Sequence, residues 1–292
     1  MRRETDAIVG LLDGQVALIT GAARGQGRAH ALASAREGAD VVLFDIAADL
    51  DSIPYELASP EELDQTVKEV QELGRQVISV VGDVRSQADL DGAVAQGIEQ
   101  LGKIDILIAN AGVWSRTPFW EMSEQMWQLV VDINLSGMWR SAKAVAPHMI
   151  DRGCGSIVII SSINGFEPGS SHAHYVASKH GVLGLMKTIA LELGGYGIRC
   201  NAICPAAVAT PMTANQTIWD MTAGHPGGTA ELQYEKVFHN HVLKGHSLLS
   251  PELVADTAVF LNSSLASAIT GASVPVDAGH LILPGYNHSP TR

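Results

Sequence analysis

The chain has 292 residues, 46% of them hydrophobic and 17% charged, with a formal net charge of −12. This is enough apolar material for one large globular core, and the acidity argues against nucleic acid or an anionic membrane surface, both of which need basic patches. Only 5% of the residues are aromatic, so the core must be aliphatic.

In chain order, short apolar runs alternate with longer helical patterns. A strand over Gln15–Thr20 precedes a helix over Gly25–Glu37, and a strand over Asp40–Phe44 precedes a helix over Pro60–Leu73. The pattern repeats as Gln76–Val81 then Gln87–Leu101, Ile104–Ala109 then Ser123–Asp151, Ser156–Ile160 then Tyr175–Leu193, and Arg199–Cys204 then Pro251–Leu261, before a last strand over Ser273–Val276. The strands are continuous rather than alternating in apolar character, as in parallel strands covered on both faces. Strand then helix, six times over and closed by a seventh strand, predicts an α/β fold: a doubly wound, parallel, seven-stranded Rossmann sheet in a single domain, residues 13–280. Residues 1–12 and 281–292 are expected to be tails.

Two segments interrupt the rhythm. Residues 46–59 form an insertion where a connection of a few residues is usual, and residues 205–250 form a strandless stretch holding Met212, Trp219, Met221, Tyr234 and Phe238. The apolar content of the second segment predicts a lid over an apolar substrate pocket. No run approaches the ~18 apolar residues of a membrane span. The start, Met1–Asp6, lacks the apolar stretch of a signal peptide, and Cys154, Cys200 and Cys204 suggest no disulfide framework. A cytoplasmic protein is expected.

Gly21, Arg24, Gly25, Gln26 and Gly27 lie in a glycine-rich turn between the first strand and first helix. Such a turn lets the backbone approach a pyrophosphate, which rests on the unpaired N–H groups of the helix start. Asp45 ends the second strand eighteen residues beyond Gly27, where its carboxylate can accept from ribose hydroxyls and repel a 2′-phosphate. NAD is therefore favoured over NADP, with Arg24 as the residue pointing the other way. Tyr175 and Lys179 share one face of a helix. An ammonium there would favour the phenolate and lower the tyrosine pKa from about 10.

With these motifs in place, the chain resembles the classical short-chain dehydrogenases/reductases over residues 13–280. The carrying motifs are Thr20–Gly27, Asp83-Val84, Asn110-Ala111-Gly112, Asn134, Ser162, and Tyr175 with Lys179. The resemblance implies that Ser162, thirteen residues before Tyr175, hydrogen-bonds the substrate oxygen. Asn134 would hold a water serving Lys179, with Tyr175 as the proton-transferring group. Asp83 and Val84 would bracket the adenine, and Thr210 would meet the nicotinamide carboxamide. Ile46, Asn110, Gly112 and Val208 join the implied cofactor contacts, along with Tyr175 and Lys179 themselves. The family usually has Pro-Gly where this chain has Pro205-Ala206, which predicts an altered backbone path beside the nicotinamide.

The insertion through Pro54-Tyr55, the ending Pro275–Gly279 and the long lid are similar to the carveol dehydrogenase-like, mycofactocin-associated subgroup. That likeness implies a hydrophobic secondary alcohol or ketone as substrate, tightly held NAD and a redox partner that reoxidises bound NADH. The wider family resemblance implies a homotetramer, paired through the helices around Asn134–Asp151 and Tyr175–Leu193, the second carrying surplus apolar surface at Ala177, Val182, Leu185, Met186 and Ile189. No carboxylate or cysteine joins His239, His241 and His246 at ligand spacing, so no metal is expected. The alternatives are an NADPH-dependent 3-oxoacyl-thioester or ketone reductase and a catalytically silent NAD-binding sensor or scaffold. The complete Asn134, Ser162, Tyr175 and Lys179 set speaks against silence. His172 and His174 read as loop residues at the site mouth, and Trp114, Trp120, Trp127 and Trp139 as helix packing.

Overall fold

Strands built from unbroken Val and Ile runs can satisfy both faces only between two helical layers, and the chain adopts that arrangement. The computed structural model describes residues 10–291. Its strands are β1 (Val16–Thr20), β2 (Asp40–Asp45), β3 (Val77–Val81), β4 (Ile106–Ala109), β5 (Gly155–Ile160), β6 (Ile198–Pro205) and β7 (Ser273–Val276). They form one parallel sheet in the order β3-β2-β1-β4-β5-β6-β7. The helices are α1 (Gly25–Arg36), α2 (Pro60–Glu72), α3 (Gln87–Leu101), α4 (Glu124–Val131), α5 (Gly137–Arg152), α6 (Ala173–Leu193), α7 (Gln216–Ala223), α8 (Ala230–Phe238) and α9 (Pro251–Asn262).

Neighbouring strand residues feed opposite layers, because side chains alternate across a strand. Leu18, Val42 and Leu107 join a core with Leu90 of α3, Val145 of α5 and Val182 of α6. Ala17, Val41 and Ile106 join a second core with Ala31 of α1, Leu63 of α2 and Val254 of α9. The strand order reverses between β1, which pairs with both β2 and β4, and so opens a crevice at their carboxyl ends.

Several details differ from the sequence expectation. The predicted helix 123–151 is two helices joined by a π-turn at Asp132–Ser136. The 205–250 segment holds α7 and α8, capped by the Asn215 and Thr229 side chains. Its base is closed by Val208 pairing with Leu249. Leu12 is fully buried, so the chain joins the core before residue 13; the rest of the expected tail, residues 1–9, lies outside the described residues. Val182, Met186 and Ile189, expected to be surplus apolar surface on α6, are buried in the chain's own core. Trp127, Trp139 and Leu191 carry the exposed apolar surface instead, and Trp120 is 72% exposed rather than packed on a helix. Among the described residues, no helix is long and apolar enough to cross a membrane.

Candidate active site

The crevice is a groove lined by the glycine turn, Asp45, Asp83, Tyr175 and Lys179. Its floor is the turn leaving β1. Gly21 takes φ +66, and a Cβ there would come within 2.8 Å of Ala111 Cα. A Cβ at Gly27 would lie 1.8 Å from the Gly21 carbonyl oxygen, so the helix can approach the strand only without one. Helix α1 begins at Arg24 without a side-chain cap, which leaves its first N–H groups open to the groove. Beside them the Gln26 Oε1 is buried without a partner. Open amides at a glycine turn with no room for a Cβ fit a dinucleotide's pyrophosphate end.

Most residues expected at the cofactor line this groove: Gly21, Arg24, Gly25, Gln26, Gly27, Asp45, Ile46, Asp83, Val84, Asn110, Gly112, Tyr175, Lys179 and Thr210. Several have structural duties as well. Asp45, buried, accepts from the Ala23 N–H at 2.9 Å and the Ala47 N–H at 3.0 Å, so one carboxylate shapes the glycine turn and the insertion. Asn110 donates to the Thr20 and Gly21 carbonyls, stitching β4 to β1. Burial works to raise the Asp83 carboxyl, but hydrogen bonds and charge from Arg85 outweigh it and hold the group below its ordinary range.

Val208 does not line the groove. It is buried beneath it, pairing with Leu249, and its carbonyl accepts from Thr213 Oγ1. Ala206 stands where the resemblance expects glycine. Ala206 has no positive φ and donates to the Val276 carbonyl at 3.0 Å, continuing the β6–β7 ladder with a geometry alanine accepts readily.

The insertion forms a wall the sequence did not assign residue by residue: Leu50, Tyr55, Leu57 and Ala58 all face the groove. Tyr55 is a long side chain reaching across the groove, and its hydroxyl accepts from the Trp114 N–H at 3.0 Å. Burial is the main cause that pushes its phenol well above the ordinary value. Arg24 donates to the Glu56 carbonyl and pairs with Glu62 at 3.6 Å, so it anchors the insertion and is turned from a free phosphate reader into a structural tie.

The reactive end sits where α6 starts. Tyr175 and Lys179 lie one turn apart, with Lys179 buried. The Lys179 Nζ donates to the Ile160 carbonyl at 2.9 Å and stands 5.5 Å from the centre of the Tyr175 ring. Burial lowers the Lys179 pKa to about 8. Burial also raises the Tyr175 pKa, partly offset by a hydrogen bond with Ser162. The lowering expected from the ammonium does not outweigh burial at Tyr175, and Nζ is engaged by the Ile160 carbonyl.

Ser161 and Ser162 separate cleanly. Ser161 donates to the Lys179 carbonyl at 3.0 Å, whereas Ser162 faces Tyr175 and accepts from the Asn164 N–H. Asn134 is gripped at both ends of its amide by the Val113 backbone, each bond 2.8 Å. His174 accepts from the Tyr175 N–H and meets Ser115 Oγ at 2.8 Å, which fixes the start of α6 and keeps the ring off the phenol. Of the lid residues, Thr210, Pro211 and Met212 reach the groove. Phe238 is buried, and Tyr234 is 49% exposed.

Residues 15–220 match the short chain dehydrogenase family. The (−)-trans-carveol dehydrogenase of Rhodococcus erythropolis is 42% identical over 272 residues, covering 92% of this chain and 98% of that one. An uncharacterised NAD-dependent oxidoreductase of Mycobacterium tuberculosis is 42% identical over 274 residues, covering 93% and 98%. The crystal structure of carveol dehydrogenase from Mycobacterium avium in complex with NAD superposes with TM-score 0.91 at 38% identity, covering 94% of this chain and 100% of that one. By this match over residues 15–220 and the identity to these relatives, this chain belongs to the short chain dehydrogenase family.

Proposed function

We propose that the protein is an NAD-dependent alcohol dehydrogenase acting on a hydrophobic secondary alcohol or the matching ketone, of carveol-like, terpenoid or other cyclic type. The observation that supports this best is the meeting of Tyr175 with Ser162 and Lys179 beside a groove that Tyr175 and Lys179 line together with the glycine turn, Pro211 and Met212. Gly21 to Gly27 would hold the pyrophosphate, Asp45 the ribose hydroxyls, and Asp83 with Val84 the adenine. Bound NAD supplies the hydride acceptor, or in the reverse direction NADH the donor.

This chain's own residues manage the proton and the orientation. Ser162 holds the substrate oxygen by a hydrogen bond and also contacts the phenol. Tyr175 takes the hydroxyl proton of the alcohol, or returns it to the ketone. Lys179, whose burial brings its pKa to about 8, carries a proton that can leave near neutrality. Asn134, locked on Val113, fixes the π-turn beside Gly112 and Lys179. The apolar lid, residues 205–250, excludes water from the reacting centre.

The carboxylate of Asp45 and the engagement of Arg24 by Glu56 and Glu62 support NAD over NADP. The insertion, residues 46–59, covers the nucleotide and slows its release, as in mycofactocin-associated dehydrogenases, so that a redox partner reoxidises NADH in place. A cytoplasmic homotetramer completes the reading, with Trp127, Trp139 and Leu191 as the apolar surface available for contacts between copies. The test is to purify the protein without added cofactor, denature it and quantify NAD(H) per chain, then assay (−)-trans-carveol with free NAD and with an artificial electron acceptor. Turnover of carveol and retained NAD(H) are expected. Cofactor-free protein that oxidises no hydrophobic alcohol would overturn the reading.

A further inference from the structure

The lid returns to the sheet through residues 239–249, and a second segment is wrapped on that limb. The Val242 and Leu243 N–H groups donate to the Ala278 carbonyl, the Asn287 N–H donates to the His239 carbonyl, and the Gly245 N–H donates to the Thr291 carbonyl. Tyr286 stacks on His239 with ring centres 4.5 Å apart. The segment expected to be a tail is thus a strap on the lid.

At the centre of the strap, His280 touches two different elements. Its Nδ1 lies 3.0 Å from the Asn240 carbonyl, at the end of the lid helix α8. Its Nε2 lies 2.9 Å from Glu167 Oε1. Glu167 belongs to the turn that Ser162 begins, where the Glu167 N–H donates to the Ile163 carbonyl. Both partners of His280 only accept, and a neutral imidazole has one N–H. The geometry is met in full only by the doubly protonated ring.

The other ionisable groups facing His280 are His241 of the lid base and Asp277 of its own turn. The His241 ring lies 6.3 Å away, centre to centre, with its Nδ1 3.2 Å from the His246 carbonyl. Burial first, and then the neighbouring His280 and His246, hold His241 below the ordinary histidine range, so it does not compete for the positive charge. Asp277 accepts from the Gly279 and Leu281 N–H groups and so shapes the turn that presents His280.

We propose that His280 is a positioning residue: bridging the Asn240 carbonyl and Glu167, it clasps the returning limb of the lid to the Ser162 turn. The inference rests on residues 205–250 being a substrate lid, but the clasp can be read without any substrate. In His280→Phe and Glu167→Gln, hydrogen–deuterium exchange of lid amides is expected to be about tenfold faster than in wild type, the scale of one lost charged hydrogen bond. The double variant should be no faster than either. His280→Arg, which keeps two donors, should restore slow exchange. With (−)-trans-carveol as probe, the first two variants should raise KM more than they lower kcat.

Lid exchange that is unchanged in the variants overturns the clasp. The expected exchange pattern without carveol turnover upholds the clasp and overturns the substrate reading. Should His280→Phe fail to fold, Glu167→Gln and His280→Arg decide alone.

Discussion

The Tyr55 hydroxyl accepts a 3.0 Å hydrogen bond from the Trp114 N–H, joining the insertion after β2 to the loop after β4 across the mouth of the nucleotide groove. Both partners are largely removed from water, so the bond has no easy solvent substitute. Tyr55→Phe deletes the acceptor and leaves the Trp114 N–H unpaired, at a cost of about 1–3 kcal/mol. If the insertion retains the dinucleotide, the release rate of NAD should rise about fivefold to a hundredfold. Stopped-flow cofactor exchange checks this, with unchanged release assigning retention to the Arg24–Glu56 contact instead.

Tyr175→Phe should lower turnover by about 10²–10⁴-fold, because it removes the proton-transferring group and little else. The ring still packs where it did, so NAD affinity should stay within a few-fold in calorimetry. Activity close to wild type would remove Tyr175 from its assigned role.

Asp45→Ala should weaken NAD about tenfold or more, the scale of a lost charged hydrogen bond, and narrow the gap to NADP. The substitution also strips acceptors from the Ala23 and Ala47 N–H groups, and Ala47 already sits at φ +48. A fall in Tm should therefore accompany the change in preference. Calorimetry with both dinucleotides and a melting curve separate the two effects.

Lys179 gives a pH signature of its own. Its folded pKa of about 8 lies below the value of 10.5 in the open chain. Between those values the unfolded state binds more protons, so stability rises with pH across this window, and below it the full cost of burying the ammonium remains. The Tm of cofactor-free wild type should gain on that of Lys179→Met as pH increases from 8 to 10.5. A constant difference between the two proteins would show that the buried amine does not titrate there.

The strands, the glycine turn and the Tyr175–Lys179 pair were legible because each rests on local pattern: apolar runs, glycine at a turn, and a spacing of four on a helix. Features set by tertiary approach were not. Nothing near Tyr55 announces that it meets Trp114, and nothing at Val208 says it turns inward to Leu249. Nothing in the sequence pairs Lys179 with the Ile160 carbonyl either, since α6 and β5 meet only in the fold. Helices α7 and α8 left only their caps, Asn215 and Thr229, as signals, each being too short to show a clear apolar stripe. The π-turn is invisible to composition, because Asp132–Ser136 would suit an α-helix equally well.

That turn also sets a rule for editing the chain. A π-turn accommodates one more residue than the α-helical path it interrupts. Removing one residue within Asp132–Ser136 would therefore let α4 and α5 fuse into a regular helix with Val145 still facing the sheet, and only the turn itself would change. What would be lost is the seat of Asn134 on the Val113 backbone. A deletion in the regular part of α5 has no such slack, and turns everything beyond it by about 100°. Random indel libraries should therefore keep folded but inactive chains with one residue missing from the turn, and lose the fold when one is missing from the middle of α5.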